Sequence, residues 1–191
     1  MIGILLAAGF SRRFGSTDKL LQPLPDGRPM ALASAESLIQ AIPTSIAVVR
    51  PDNKKLAALL LNAGLKVVFC SESDQEMADS LATAIRFSAN LQAAKHGFVI
   101  ALADMPYIRS DTISTVVAKL GAGAAIAMPV YNGQRGHPVG FAAKFRKELE
   151  SLHGDEGARS IIKRYPDEVH LLPSDDAGIL ADIDTQADLR S

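Results

Sequence analysis

The sequence holds a single cysteine, Cys70, and almost no excess of charge of either sign. One cysteine excludes an intramolecular disulfide and a zinc site built from paired cysteines. The 20 Lys and Arg residues against 21 Asp and Glu residues give a formal net charge of −1, so no nucleic-acid partner held by a broad basic face is expected. No apolar run approaches the ~20 residues that span a membrane, and no membrane association is expected either.

The chain also lacks a repeated motif and a low-complexity stretch, which argues against a solenoid. Its first residues are apolar, but no basic residue precedes them and no small-residue cleavage site follows, so a signal peptide is not expected. The length of 191 residues suits one domain of the usual size, about 100–200 residues. We therefore expect a single cytoplasmic domain over residues 1–191.

Short apolar runs alternate along the chain with segments of helical period. Five runs are almost continuously hydrophobic, which is typical of strands covered on both faces: 2–7, 45–49, 66–69, 98–102 and 124–128. Proline at a first turn and glycines at helix ends predict helices over 30–41, 53–63 and 111–120. Later segments predict shorter strands at 138–143, 169–172 and 179–183 and helices at 155–165 and 185–189. This alternation predicts an α/β domain with a mostly parallel sheet.

A basic loop follows the first predicted strand. It runs Leu6-Ala7-Ala8-Gly9-Phe10-Ser11-Arg12-Arg13-Phe14-Gly15, with Lys19 four residues further on. Small residues let backbone N–H groups approach a phosphate, and three cations suit a triphosphate. The loop matches neither G-x-G-x-x-G nor the P-loop, in which the lysine directly follows a glycine. The alternative is an ordinary strand-to-helix turn with solvated basic residues.

Carboxylates follow two other predicted strands. Asp104 comes directly after strand 98–102, where one carboxylate can hold Mg²⁺ over phosphate oxygens; alternatively it only starts a turn before Pro106. Asp182 and Asp184 would share one face of a strand, and their mutual repulsion favours a cation between them. The alternative for this segment is a capping box from Thr185 to a carboxylate three residues on, and both interpretations can hold together.

Two glycine-containing turns carry further polar groups. In Gly133-Gln134-Arg135-Gly136-His137-Pro138, the arginine suits a phosphate and the histidine could donate to a substrate; a surface hairpin turn is the alternative. Gly154-Asp155-Glu156-Gly157-Ala158-Arg159 opens a predicted helix, whose N-terminus favours anions, although Asp155 is the expected cap.

Taken together, these stretches resemble one family. The loop Leu6-Ala7-Ala8-Gly9-x-Ser11-x-Arg13-x-Gly15 with Lys19 is similar to the signature loop of small Rossmann-like nucleotidyltransferases. The other motifs follow in the order and spacing of the molybdenum cofactor cytidylyltransferase group: 103–106, 135–138, 154–159 and 182–185. The likeness runs over residues 4–189. It implies a single-domain Rossmann-like three-layer αβα sandwich of the nucleotide-diphospho-sugar transferase type.

The resemblance also implies roles for individual residues. A nucleotide would be bound by Leu6, Ala7, Ala8, Gly9, Ser11, Arg12, Arg13, Gly15, Lys19, Asp79 and Ser80. Arg13, Lys19 and Asp104 would be catalytic, and Asp104, Asp182 and Asp184 would hold Mg²⁺, or Mn²⁺ in its place. A phosphorylated pterin acceptor would be bound by Arg135, Gly136, His137, Pro138 and Arg159. A molybdoenzyme, or the maturation factor of one, is the macromolecular partner that this role would entail.

The implied reaction is transfer of CMP from CTP to the pterin phosphate with release of pyrophosphate. Guanylyl-transferring relatives typically have glycine at the position of Ala8, whereas the double-alanine form goes with cytosine. One segment departs from the family pattern Gly-Met-Ser-x-Ser-Leu, because it carries Glu76 and Ala78. Two alternatives therefore stay open: an enzyme of the same fold with another nucleotide or acceptor, and a non-catalytic module that binds and delivers the cofactor.

Overall fold

The structure is a computed structural model that describes residues 1–9, 14, 18–71, 77–154, 157–185 and 187–190. Its strands are β1 (Ile2–Ala7), β2 (Ser45–Val49), β3 (Lys66–Phe69), β4 (Phe98–Leu102), β5 (Ile126–Tyr131), β6 (Gln134–Arg135), β7 (Val139–Phe141) and β8 (Val169–Pro173). Its α-helices are α1 (Met30–Ala41), α2 (Lys54–Asn62), α3 (Met77–Phe87), α4 (Ser110–Gly121), α5 (Arg146–Glu150) and α6 (Arg159–Arg164).

All eight strands join one mixed sheet in the order β3-β2-β1-β4-β7-β5-β6, with β8 paired to β5. Strands β1 to β4 pair in parallel, and so do β5 and β8. The short β7 lies antiparallel between β4 and β5, and β6 is antiparallel to β5. The predicted α/β fold with a mostly parallel sheet is therefore confirmed.

The core lies in two layers on opposite faces of the sheet. Along β1, Leu5 and Ala7 pack towards α1, α2 and α4, whereas Ile2, Ile4 and Leu6 pack towards α3 and α5. All these β1 side chains are buried because both faces are covered by helices. This is the three-layer αβα arrangement, and it explains the continuous apolar runs of the central strands.

The predicted strands 2–7, 45–49, 66–69 and 98–102 form at those residues. The fifth is displaced to Ile126–Tyr131, and the predicted strand 138–143 is shorter, at Val139–Phe141. The helix predicted over 155–165 begins only at Arg159. The sequence analysis did not identify α3 and α5.

The predicted strand 179–183 and helix 185–189 are wrong. A 3₁₀ turn spans Ala177–Leu180, residues 181–184 pair with no strand, and a second 3₁₀ turn spans Asp188–Arg190. The Asp176 side chain accepts the Gly178 N–H at 3.0 Å and so nucleates the first turn. The apolar Ile179 and Ile183 are buried against loops rather than in the sheet. Among the described residues, no helix has the length and apolarity needed to cross a membrane.

Candidate active site

The predicted site residues meet where β1 and β4 end. These strands are parallel neighbours with Leu6 opposite Leu102, so the loops that follow them leave the same edge of the sheet. Ala8 and Gly9 follow β1, and Asp104 follows β4. The Ala103 N–H donates to the carbonyl of Leu6 at 3.1 Å, which holds the start of the second loop against the end of β1. Ligands of parallel α/β sheets bind at this edge.

Lys19 lies in a 3₁₀ turn, Lys19–Leu21, that Asp18 caps by accepting the Leu20 N–H at 3.1 Å. Asp18 also accepts a hydrogen bond from the side chain of Asn53, the N-cap of α2. The turn is further fixed by Leu20, which is buried in the core. The Asp18 cap, the Asn53 side chain and the buried Leu20 therefore hold the turn that carries Lys19. From this turn the Lys19 side chain reaches Asp104 and Asp184.

The Lys19 ammonium joins two carboxylates from different parts of the chain. Its Nζ donates to Asp104 Oδ2 at 2.9 Å and to Asp184 Oδ1 at 3.3 Å. The Lys19 side chain is only 7% exposed, whereas those of Asp104 and Asp184 are 27% and 44% exposed. The cluster Lys19–Asp104–Asp184 therefore buries its cation and turns its carboxylates towards solvent, where they can meet a ligand.

The backbone of Asp184 is fixed by its neighbours. Asp188 Oδ2 accepts the N–H groups of Asp184 at 3.1 Å and of Thr185 at 2.7 Å, together with the Thr185 hydroxyl at 2.9 Å. The bond from the Thr185 N–H to the Asp188 side chain is one half of a capping box, and these contacts lower the pKa of Asp188. The capping alternative is therefore met in part: the Asp188 side chain reaches back to Thr185, but the helix that it was expected to open does not form.

Asp182 is placed differently from Asp184. It is exposed and does not touch Lys19, although its charge is close enough to raise the pKa of His137. Within the described ranges, no group of three or more His, Cys, Asp or Glu side chains is arranged to hold a metal ion. The donor set seen here is the pair Asp104 and Asp184, which suits Mg²⁺, since that ion usually takes one or two carboxylates with water and phosphate oxygens. Ligation by Asp182 stays a prediction.

His137 is half-buried, and its ring is close enough to Asp104 and Asp182 to feel their charges. Its Nδ1 atom is buried and has no hydrogen-bond partner among the described residues. Burial is the main cause that lowers the pKa of His137, and the Arg159 charge lowers it further, against opposing effects of Asp104 and Asp182. The lowered pKa favours the neutral form of the ring, and the folded chain leaves the hydrogen-bonding capacity of Nδ1 unused.

Arg159, Gly136 and Pro138 lie around His137. Arg159 is exposed at the start of α6, and its charge reaches the imidazole. Gly136 and Pro138 are buried, and the His137–Pro138 peptide bond is cis. Arg135 is instead exposed on β6 opposite Val130, and it makes no hydrogen bond or ion pair with the other predicted site residues that the structure describes.

The turn before Arg135 is a hairpin turn, as the alternative interpretation of residues 133–138 predicts. Asn132 and Gly133 join β5 to β6, and both have positive φ, 49° and 77°. An Asn-Gly pair favours this two-residue turn because both residues tolerate the left-handed region. The predicted hairpin is confirmed, while acceptor binding by Arg135 stays a prediction.

The start of α3 approaches the start of α6. A Cβ on Gly157 would lie 3.7 Å from the Met77 sulfur, so the first turn of α3 borders the Gly157–Arg159 segment. Asp79 is partly exposed in that first turn, whereas Ser80 is buried, as is Ala78. Nucleotide binding by Asp79 and Ser80 stays a prediction.

Several predicted positions lie outside the described residues: Ser11, Arg12, Arg13, Gly15, Glu76, Asp155 and Glu156. Of the first loop, the structure describes Leu6, Ala7, Ala8 and Gly9, then Phe14, which is buried in the core, and then Asp18 onwards. Gly9 is exposed, and a Cβ there would meet nothing within 4 Å, so no described neighbour covers the backbone at this point.

Sequence reasoning missed Asp18, Asn53 and Asp176. The first two fix the Lys19 turn, and an Asp directly before Lys-Leu-Leu is a local signal for such a cap. Asp176 is buried beside α4 and caps the turn that leads to Asp184. No local signal separates Asp176 from its exposed neighbour Asp175.

A cavity of about 500 Å³ opens between α4, β5 and β8. It shares no residue with the Lys19–Asp104–Asp184 cluster, and its cation, Arg109, is already paired with Asp111 and Asp175. The positive charge of Arg109 is thus already matched by the aspartates of the cavity lining.

Comparison with known proteins agrees with this geometry. A model of the MobA-like NTP transferase domain matches residues 3–169. The molybdenum cofactor guanylyltransferase of Cupriavidus pinatubonensis is 31% identical over 199 residues, covering 99% of this chain and 94% of that protein. The purine catabolism protein PucB of Bacillus subtilis is 28% identical over 193 residues, covering 97% and 92%.

Solved structures also include similar proteins. Rv0371c from Mycobacterium tuberculosis superposes with a TM-score of 0.81 at 30% identity, over 99% of this chain and 95% of that one. A structure of Rv0371c in complex with manganese superposes with a TM-score of 0.78 at 26% identity over the same shares. The strand-end cluster and these matches lead to one conclusion: the chain belongs to the MobA-like NTP transferase family, and it is a nucleotidyltransferase.

Proposed function

We propose that this protein transfers CMP from CTP to the phosphate of the molybdenum-pterin cofactor and releases pyrophosphate. The observation that carries the proposal is the Lys19–Asp104–Asp184 cluster beside the open backbone of Gly9. Nucleotidyl transfer needs little covalent help from a protein, but it needs positioned charge around the reacting phosphorus. This cluster supplies both signs of charge at the sheet edge where a nucleotide would bind.

The reaction begins with the acceptor phosphate, which is already ionised at neutral pH and needs no general base. One of its oxygens attacks the α-phosphorus of CTP. A new P–O bond forms while the bond from the α-phosphorus to the bridging oxygen of the β-phosphate breaks, and the electron pair leaves with pyrophosphate. Arg13 and Lys19 would lie against the phosphate oxygens and offset their charge. The first loop would enclose the triphosphate with its backbone N–H groups.

Asp104 and Asp184 would hold a divalent cation, and Asp182 would help from the exposed side. When bound, Mg²⁺ neutralises charge on phosphate oxygens and thereby favours departure of pyrophosphate. The manganese complex of Rv0371c supports a divalent site in this fold, and Mn²⁺ suits the same oxygen ligands.

His137 and Arg159 would bind the acceptor. The half-buried imidazole of His137 would hydrogen-bond a pterin group, and the exposed Arg159 suits a phosphate. Relatives named molybdenum cofactor guanylyltransferase support a molybdenum cofactor acceptor. They also make GTP the second candidate nucleotide.

Ala8 favours CTP over GTP. Its side chain is partly buried against the core layer of α3 and α5, at the position where guanylyl-transferring relatives typically carry glycine. We infer from this family pattern that the methyl group of Ala8 disfavours the guanine nucleotide. The preference for CTP over GTP is therefore inferred from Ala8, and one substitution at this position can test it.

The test is thermal stabilisation by CTP, GTP, ATP and UTP with Mg²⁺, followed by pyrophosphate release in the presence of the pterin cofactor. A ligand at about 100 times its Kd should stabilise the folded protein by about 2.7 kcal/mol. We expect a selective effect of CTP that Asp104→Ala abolishes and that the exposed-site control Asp52→Ala retains. A selective effect of GTP would establish the second candidate. Pterin binding without turnover of any nucleotide would instead establish a delivery module.

A further inference from the structure

Residues 174–185 form a segment, here called the C-terminal strap, that follows β8 and crosses the strand-end loops of the site. Three contacts join it to them. The carbonyl of Ile179 accepts the His137 N–H at 3.1 Å, the Ile183 N–H donates to the carbonyl of Asp104 at 3.0 Å, and Asp184 meets Lys19 at 3.3 Å. Residues 181–184 pair with no strand. The positions of Asp182 and Asp184 therefore depend on these three contacts and on the way the first residues of the strap are held.

Asp176 is that anchor. It is 4% exposed, and its Oδ2 accepts the Arg109 N–H at 2.9 Å and the Thr112 hydroxyl at 2.7 Å. Its Oδ1 accepts the Gly178 N–H at 3.0 Å, and the Arg109 Nε lies 3.9 Å away. One buried carboxylate therefore ties the strap to the first turn of α4, directly after the loop that carries Asp104.

Close backbone contacts leave the strap little freedom beyond this anchor. A Cβ on Gly178 would lie 2.2 Å from the carbonyl oxygen of Tyr107, and a Cβ on Gly136 would lie 2.5 Å from that of Ile179. Both obstacles are backbone atoms, which cannot rotate away. A displacement of the strap backbone at Asp176 would therefore also displace the backbone at Ile179 and Ile183.

We propose that Asp176 is a positioning residue for the nucleotidyl transfer: it fixes the strap so that Asp184 lies against Lys19 and the backbone of Asp104 and His137 is held in place. Asp176 itself touches none of the reacting groups. The proposal rests on the proposed function for its kinetic consequence, whereas its geometric part concerns the folded chain alone.

The test uses Asp176→Asn, which keeps the size of the side chain. Its amide nitrogen cannot accept, so at least one of the three donors loses its partner. We expect faster hydrogen exchange at the Gly178 and Ile183 amides. We also expect the Mg²⁺ concentration for half-maximal turnover to rise, and kcat to fall, by about 10-fold or more, the usual effect of losing a residue that orients a ligand.

Thr112→Val provides a second variant in case Asp176→Asn does not fold. It removes one donor to Oδ2 and should shift exchange at Ile183 and the Mg²⁺ requirement in the same direction, while Thr112→Ser, which keeps the hydroxyl, should restore both. Asp175→Asn is the matched control, because Asp175 is an exposed neighbour that pairs with the same Arg109; it should leave both readouts unchanged.

Leu120→Ala separates positioning from general loss of stability, since it truncates a buried side chain of α4 away from the strap. The inference is overturned if Asp176→Asn leaves exchange at Ile183 as in the wild type, or if its Mg²⁺ requirement rises no more than that of Leu120→Ala at a matched loss in Tm. A wild-type protein that turns over no nucleotide would refute the proposed function instead, and exchange at Gly178 and Ile183 would then decide the positioning by Asp176 on its own.

Discussion

The Lys19 ammonium lies 2.9 Å from Asp104 Oδ2, although the two residues are 85 positions apart in the chain. Asp18 caps the turn that carries Lys19, and the end of β4 carries Asp104. The ion pair therefore joins the loop after the first strand to the loop after its parallel neighbour. A nucleotide bound at this edge would meet a cation and a carboxylate whose relative position is already set.

Replacing Lys19 by methionine should destabilise the fold. The change keeps the length of the side chain but leaves Asp104 and Asp184 facing each other without their shared cation. Breaking a buried pair costs about 3–5 kcal/mol, and we expect about 1–3 kcal/mol here because both carboxylates are partly exposed. Chemical denaturation measures the loss. Lys55→Met, at an exposed position of α2, is the control and should change stability little; equal losses in both variants would contradict the prediction.

Asp184→Asn should impair nucleotide turnover more than Asp182→Asn. Asp184 contacts Lys19, whereas Asp182 is exposed and acts at longer range. We expect a loss in kcat of about 100-fold for Asp184→Asn, comparable with removal of one charge-stabilising group, and a smaller loss for Asp182→Asn. Steady-state kinetics at saturating Mg²⁺ measure both. The reverse order would assign the stronger role to Asp182.

Ala8→Gly should shift nucleotide preference towards GTP. Removing one methyl group from a binding surface changes discrimination by about 10-fold or more, so the ratio of kcat/KM for GTP to that for CTP should rise by this amount. Ala57→Gly, in buried surroundings on α2, serves as a control for loss of a methyl group elsewhere in the protein. An unchanged ratio in Ala8→Gly would remove Ala8 as the determinant of base specificity.

Stability should fall in mild acid because of His137. Burial and Arg159 lower the pKa of His137 below its ordinary value of 6.5, so the unfolded chain takes up a proton at a pH where the folded protein does not. The resulting stability is fully present above about pH 6.5 and is lost as the pH falls through the folded-state pKa. Tm measured between about pH 5 and 7.5 should decline towards acid less steeply in His137→Asn than in the wild type. The exposed control His96→Asn should follow the wild type, and parallel curves for all three proteins would refute the assignment.

Gly178→Ala should destabilise the protein by about 1–3 kcal/mol, the usual cost of forcing an atom into packed surroundings. The added Cβ would meet the Tyr107 carbonyl oxygen at 2.2 Å, and backbone must move to admit it. Gly121→Ala is the control, since a Cβ there meets nothing within 4 Å. Differential scanning calorimetry measures the stability of both variants. A Gly178→Ala protein as stable as the wild type would show that the strap backbone can move away from the Tyr107 carbonyl and would contradict the prediction.

Local patterns in the sequence predict the central architecture correctly. Strands β1 to β4 and helices α1, α2 and α4 form within a residue or so of their predicted positions, because apolar runs, helix stops and caps are local signals. The sequence also predicts that Asp104 follows a buried strand at the sheet edge where β1 ends, since parallel strands align their carboxyl ends.

The arrangement after β5 depends instead on contacts between distant parts of the chain. The run 179–183 has the composition of a strand, yet it pairs with no strand: Ile179 and Ile183 are buried, and backbone hydrogen bonds join them to His137 and Asp104. That outcome depends on Asp176, whose hydrogen bonds to Arg109 and Thr112 span more than 60 positions in the chain. Contacts between residues so far apart in the chain produce no periodic pattern in the sequence. The pairing of Lys19 with Asp184 rather than Asp182 could therefore be identified only from the three-dimensional structure.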